Sequence, residues 1–156
     1  MNISAHSPSD FTKDMAPPSA KWMGMDLIEH REDENYTKVS FQPNDDMLNF
    51  GGVIQGGFLT AMMDDAVGFN AFISLKMKYA LATIDLHTHF YKAVKMGPIT
   101  VEAWIIRAGK SIVFLEAKLY DCDGELAAAM KSSMKLREFA GMQYETKKQV
   151  KENSNG

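Results

Sequence analysis

The chain has 156 residues, about the length of one ordinary domain, and a formal net charge of -3 with acidic and basic side chains interspersed. That balance gives no electrostatic footprint for nucleic acid, and no arginine-rich or aromatic-interleaved patch appears. A single cysteine, Cys122, cannot close an intrachain disulfide, and the amino terminus lacks the charged-then-apolar pattern of a secretory leader, so a cytoplasmic setting is expected.

Residues 1–21 hold Ser, Pro, Asp and Thr with few large apolar groups, and Pro17-Pro18 interrupts them; they read as a loosely ordered arm. Trp22 to Met25 is an apolar anchoring turn, followed by a strand over Asp26 to Arg31 and a hairpin-type loop at Glu32 to Asn35. From Tyr36 to Gln42, Thr37, Val39 and Phe41 alternate with polar neighbours, the period of a half-buried strand that Pro43 to Asp46 ends. A long apolar helix is predicted over Ile54 to Leu75, with Gly68 as a weak point. Asp64, Asp65 and Asn70 break its apolar run, which argues against a membrane span.

A third strand, Ala82 to Tyr91, sets Ile84, Leu86, Thr88 and Phe90 against Thr83, Asp85, His87 and His89. Gly97-Pro98 turns into a strand at Ile99 to Ala108, and Gly109-Lys110 turns into another at Ser111 to Asp121. Asp123-Gly124 is the clearest hairpin signal, leading to the last strand at Glu125 to Arg137. Residues 140–156 are a polar tail expected to fray. The order strand, strand, long helix, four strands with short turns predicts an α+β architecture, an antiparallel sheet with a helix on one face.

The chain is organised around Asn49 to Asp65. Two glycine pairs, Gly51-Gly52 and Gly56-Gly57, open an apolar helix that then carries two adjacent carboxylates. The glycines leave the first amides bare at the positive end of the helix dipole, a holder for an oxyanion or a polarised carbonyl. A carboxylate inside an otherwise buried helix must be paired, hydrogen-bonded or used. Asp65 points about 100° away from Asp64 around the helix, so the two cannot serve one site equally. About 13 Å of helix separates the helix start from Asp64, so one helix cannot bring its own amides and its own carboxylate to a single reacting group.

Asn49, Gly52, Gln55-Gly56-Gly57 and Asp64 resemble the asparagine, glycine, histidine-glycine-glycine and aspartate pattern of the hotdog-fold acyl-CoA thioesterases of the phenylacetate-degradation (PaaI-like) type. The resemblance spans Trp22 to Arg137 and departs at Gln55, where many members carry histidine and other hotdog thioesterases carry glutamine. It implies a hotdog domain over 22–139, one long helix wrapped by a curved antiparallel sheet of about six strands. It also implies hydrolysis of an acyl-CoA without metal or cofactor by a homodimer or a dimer of dimers. Asp64 would activate water or attack the thioester, and the Gly56 amide of the partner subunit would polarise the carbonyl. Gln55 can donate a hydrogen bond to that carbonyl but cannot titrate, and Asn49 would orient Gln55 or its loop.

Thr83 matches a serine or threonine that helps place water in related thioesterases. Alternation puts it on the polar face of its strand, away from its own helix, so it is expected to reach a site only at a dimer seam. Gly57, Lys92, Lys110 and Ser111 are the further substrate-contact candidates, with Lys95 beside them, the lysines as partners for coenzyme A phosphates. Asp85, His87 and His89 share a strand face but stand nearly 7 Å apart along it, a spacing that does not favour joint chelation of zinc. A non-catalytic acyl-CoA binding or sensing protein on the same fold is the alternative function.

Overall fold

The structure is a computed structural model and describes residues 16–138. The predicted tail and the part of the arm before residue 16 lie outside those residues. A short helix α1, Pro18–Trp22, comes first, then strands β1 (Asp26–Arg31) and β2 (Tyr36–Phe41), the long helix α2 (Gly56–Ser74), and strands β3 (Tyr79–Phe90), β4 (Ile99–Ala108), β5 (Ile112–Tyr120) and β6 (Leu126–Glu138). The helix at Pro18–Trp22 corrects the reading of Pro17-Pro18 as a break. Pro18 occupies the first turn, where a missing N–H costs nothing and the fixed φ suits a helix. Ala16, Ala20 and Met23 are buried, so this part of the predicted arm packs onto the domain.

The six strands form one antiparallel sheet in the order β1-β2-β4-β5-β6-β3, so β1 and β3 are its edges. The sheet grips α2, whose 19 residues span about 28 Å. Alternate residues Val101 and Ala103 of β4, Val113, Leu115, Ala117 and Leu119 of β5, and Met130 and Met134 of β6 are buried against Leu59, Met62, Met63, Ala66 and Val67 of the helix. Full burial of each larger side chain contributes about 1.5–3 kcal/mol. Asn70, also wholly buried, tolerates its place because every polar atom is used: its Oδ1 accepts from Thr37 (2.7 Å) and Ser74 (3.1 Å), and its Nδ2 donates to the Asn35 carbonyl (2.9 Å).

One irregularity positions the site. β3 pairs with β6 from Tyr79 to Phe90, but Thr83 faces Met134 while Asp85 faces Ser133, so Ile84 is an extra residue, a β-bulge. Leu81 and Thr83 lie beside the inward Leu136 and Met134, whereas beyond the bulge Leu86, Thr88 and Phe90 lie beside the inward Ser132, Met130 and Ala128. The inward face thus changes from odd to even residues within one strand.

Candidate active site

The helix start is uncapped. Gln55 is the N-cap residue but makes no side-chain cap bond, and its carbonyl accepts from Phe58 N–H at 2.9 Å. Among the described residues, neither the Gly56 nor the Gly57 amide finds an acceptor, which leaves two donors at the positive end of the helix. The two glycines differ in what surrounds them. A Cβ on Gly56 would lie 3.1 Å from Phe90 Cζ, whereas one on Gly57 would meet nothing within 4 Å. Of the two, only Gly56 sits where a Cβ would press on a neighbour, the Phe90 ring, while Gly57 and Gln55 are open to solvent.

The loop before the helix is held by Asn49. Its Oδ1 accepts from Gly51 N–H (2.8 Å) and Val53 N–H (3.4 Å), and its own N–H donates to the Val53 carbonyl (2.9 Å). Asn49 thus shapes the turn that delivers the chain to Gln55, and Gly52 completes it with φ +72. No bond between Asn49 and the Gln55 side chain is among its contacts.

Two turns on, α2 presents Thr60 and then Asp64 on the face that begins at Gly56, since residues four apart stack along a helix. All three meet β3: Gly56 lies under Phe90, Thr60 donates to Thr88 (3.3 Å), and Asp64 Oδ1 accepts from Thr83 Oγ1 at 3.0 Å. The last contact corrects the expected orientation of Thr83. The bulge at Ile84 turns Thr83 toward its own helix, so it joins Asp64 within one chain. Burial raises the Asp64 pKa from its ordinary value, and the Thr83 hydrogen bond opposes that rise.

Asp65 points elsewhere, as the helical offset requires. Its carboxyl meets Ser19 of α1, and one oxygen, Oδ2, is buried without a partner among the described residues. Burial first, then the neighbouring Asp64 charge, pushes its pKa up to about 6.

The substrate-contact candidates divide. Lys92 sits at the helix-start end, where its Nζ pairs with Asp121 (2.7 Å) and with Glu125, so its charge is already matched. This departs from its reading as a free phosphate contact. Lys110 and Ser111 are exposed in the β4–β5 turn, at the end of the sheet where Ile112 pairs with Lys135 and Lys135 with Ala82, next to Thr83. They therefore lie on the Asp64 side. Asp85 accepts from Ser133 N–H (3.1 Å) and Oγ (2.8 Å), and the His87 and His89 rings lie 5.0 Å apart. Among the described residues no group of three His, Cys, Asp or Glu gathers as for a metal ion. No described helix is long and apolar enough to cross a membrane.

A long, glycine-led helix wrapped by one six-stranded antiparallel sheet is the hotdog fold. Residues 51–128 match the thioesterase superfamily, and the chain belongs to that family. A protein of Saccharolobus solfataricus that carries an esterase name is 30% identical over 96 residues, 62% of this chain and 63% of the relative. This chain thus spans less than two thirds of that relative's length. In fold it is similar to a Haemophilus influenzae thioesterase, with TM-score 0.71 and 13% identity over 81% of this chain and 87% of the other. It is also similar to the PaaI protein of the E. coli phenylacetic acid degradation operon, with TM-score 0.67 and 19% identity over 79% and 85% of the two chains.

Proposed function

We propose that the protein hydrolyses an acyl-CoA to a carboxylic acid and free coenzyme A, in a cytoplasmic setting, at a site shared by two subunits. The observation that carries this reading is the Asp64–Thr83 hydrogen bond on the helix face that begins with the unpartnered Gly56 amide. The two halves are about 12 Å apart along α2, too far to act on one thioester. Two copies joined along the open edge of β3 remove the difficulty. Antiparallel pairing there turns the partner's helix end for end, so its start approaches the half of this helix that carries Asp64.

In this reading the Gly56 amide of one subunit polarises the thioester carbonyl, assisted by the Gln55 side chain and the open approach over Gly57. Asp64 of the other takes a proton from water while the water oxygen bonds to the carbonyl carbon. Thr83 already donates to Asp64 Oδ1, which leaves Oδ2 for the water and the Thr83 oxygen as a second acceptor. Collapse of the tetrahedral adduct breaks the carbon–sulfur bond, and the proton held by Asp64 goes to the departing thiolate. Asn49 keeps the loop in place, while Lys110 and Ser111, near Asp64, offer contacts to the coenzyme phosphates.

A panel of acyl-CoAs with a thiol reagent tests this directly. Wild-type protein should release thiol, Asp64→Asn should lower kcat by about 100-fold or more without loss of substrate binding, and Asp65→Asn should cost far less. Binding without turnover by the wild type would replace the enzyme with an acyl-CoA binding protein. Equal effects of the two substitutions would remove Asp64 from its role.

A further inference from the structure

A cavity of about 340 Å³ opens beside the helix start, at the small end of the 300–1,000 Å³ range of ligand pockets. Ile54, Leu59, Ala93 and Val94 give it apolar walls, with Gly56 at one side. Among the described lining residues Lys92 alone is charged, and its ammonium is engaged by both Asp121 and Glu125, so no free cation faces the cavity. Most of its frame is fixed through the backbone. Ile54 N–H donates to the Val94 carbonyl at 2.8 Å, and Tyr91 N–H to the Ala127 carbonyl at 2.8 Å.

Phe90 shares that fixing, since its backbone pairs with Ala128 of β6, but its side chain is left half-exposed. Its ring tip stands against Gly56, so close that any Cβ there would lie 3.1–3.4 Å from three ring atoms, yet the residue is 49% exposed. Opposite it on β6 stands Ala128, a side chain too small to lock the ring on that side. Phe90 is thus a large, half-exposed wall of a small cavity, set against the helix start.

We propose that Phe90 sets the acyl size this site accepts, with the cavity taking the neutral, apolar acyl group and the Phe90 ring limiting its length. This rests on the thioesterase reading. The coenzyme is too large for a space of this volume, and its phosphates would find no free cation there, whereas an acyl chain whose carbonyl lies at the Gly56 amide enters it directly. Removing the ring lengthens the space, and each methylene then admitted gains buried apolar contact.

The test measures kcat/KM for acetyl- through dodecanoyl-CoA, and binding of the matching non-hydrolysable alkyl-CoA thioethers by calorimetry, for wild type, Phe90→Leu and Phe90→Ala. The expected result is a chain-length optimum that moves to longer acyl groups as the side chain shrinks, by about tenfold or more in kcat/KM for substrates the wild type rejects. Thioether affinities should follow the same order. An unchanged optimum in folded, active variants would overturn the gate while leaving the thioesterase reading intact. If no thioester is hydrolysed, the thioether series still decides the gate, since a shift in its chain-length dependence supports it and a flat dependence ends it.

Discussion

At the scale of single residues, Asp64 and Asp65 show how one helical step separates two adjacent carboxylates. Asp64 faces Thr83, and because that hydrogen bond favours the ionised form, its loss should raise the Asp64 pKa further. Thr83→Val is therefore expected to lower the activity plateau and to move the acidic limb of the pH–rate profile to higher pH. A limb that stays in place would assign the titration to another group. Asp65 carries the opposite consequence, for stability. Its folded pKa of about 6 lies above the ordinary 3.8, so the stability of the neutral form is fully present below 3.8 and is lost as pH rises through about 6. Asp65→Asn should thus raise Tm relative to wild type near pH ~7, with the gap closing near pH ~4. An equal Tm difference at both values would show that the carboxyl is not held neutral by the fold. The sequence made Asp64 and the helix-start glycines legible, because carboxylates in an apolar helix and a glycine-led helix start are both local anomalies. Asp65's bond to Ser19 was not, since it depends on α1 packing where two prolines suggested a break.

At the scale of elements, strand alternation was legible in β2, where Thr37, Val39 and Phe41 are buried with one unbroken parity. β3 broke that reasoning. The sequence there places apolar groups at both parities, Leu81 and then Ile84, Leu86 and Phe90, and one residue of slip decides which face Thr83 shares. Deleting Ile84 tests the bulge as an element. Thr83 and Asp85 already pair with adjacent residues of β6, so the deletion keeps every other side chain on its face and removes only the local kink. The variant should fold and keep a cooperative melt, while kcat falls about tenfold or more as Thr83 and Asp64 lose their alignment. Full activity with an intact fold would make the bulge incidental to the site.

At the scale of the whole molecule, the approximately 12 Å between the Gly56 amide and Asp64 makes the proposed site a property of two chains. Gly56→Pro protein and Asp64→Asn protein should each be inactive, and mixing them under subunit exchange should restore one working site in each mixed dimer. No recovery despite demonstrated exchange would confine the site to one chain. The edges of the sheet bear on this assembly. Both edges expose apolar side chains, Ile28 on β1 and Ile84 and Leu86 on β3, but β3 runs for 12 residues whereas β1 has six, its own bulge between Leu27 and Glu29, and a Glu29–Arg31 ion pair at 3.2 Å.

On the proposed dimer, that inequality of edges is what stops growth along the sheet. A sheet with two good margins is a monomer of a ribbon, and each addition exposes a fresh margin as inviting as the last. In the dimer proposed above, β3 is the margin that joins, and β1, short, bulged and carrying an ion pair, is the one left free. When two copies join along β3, only β1 margins remain, and further addition along the sheet is terminated. The size of the particle is then set by its poorest strand, and an Arg31→Val, Glu29→Val chain would be the one to watch for filaments.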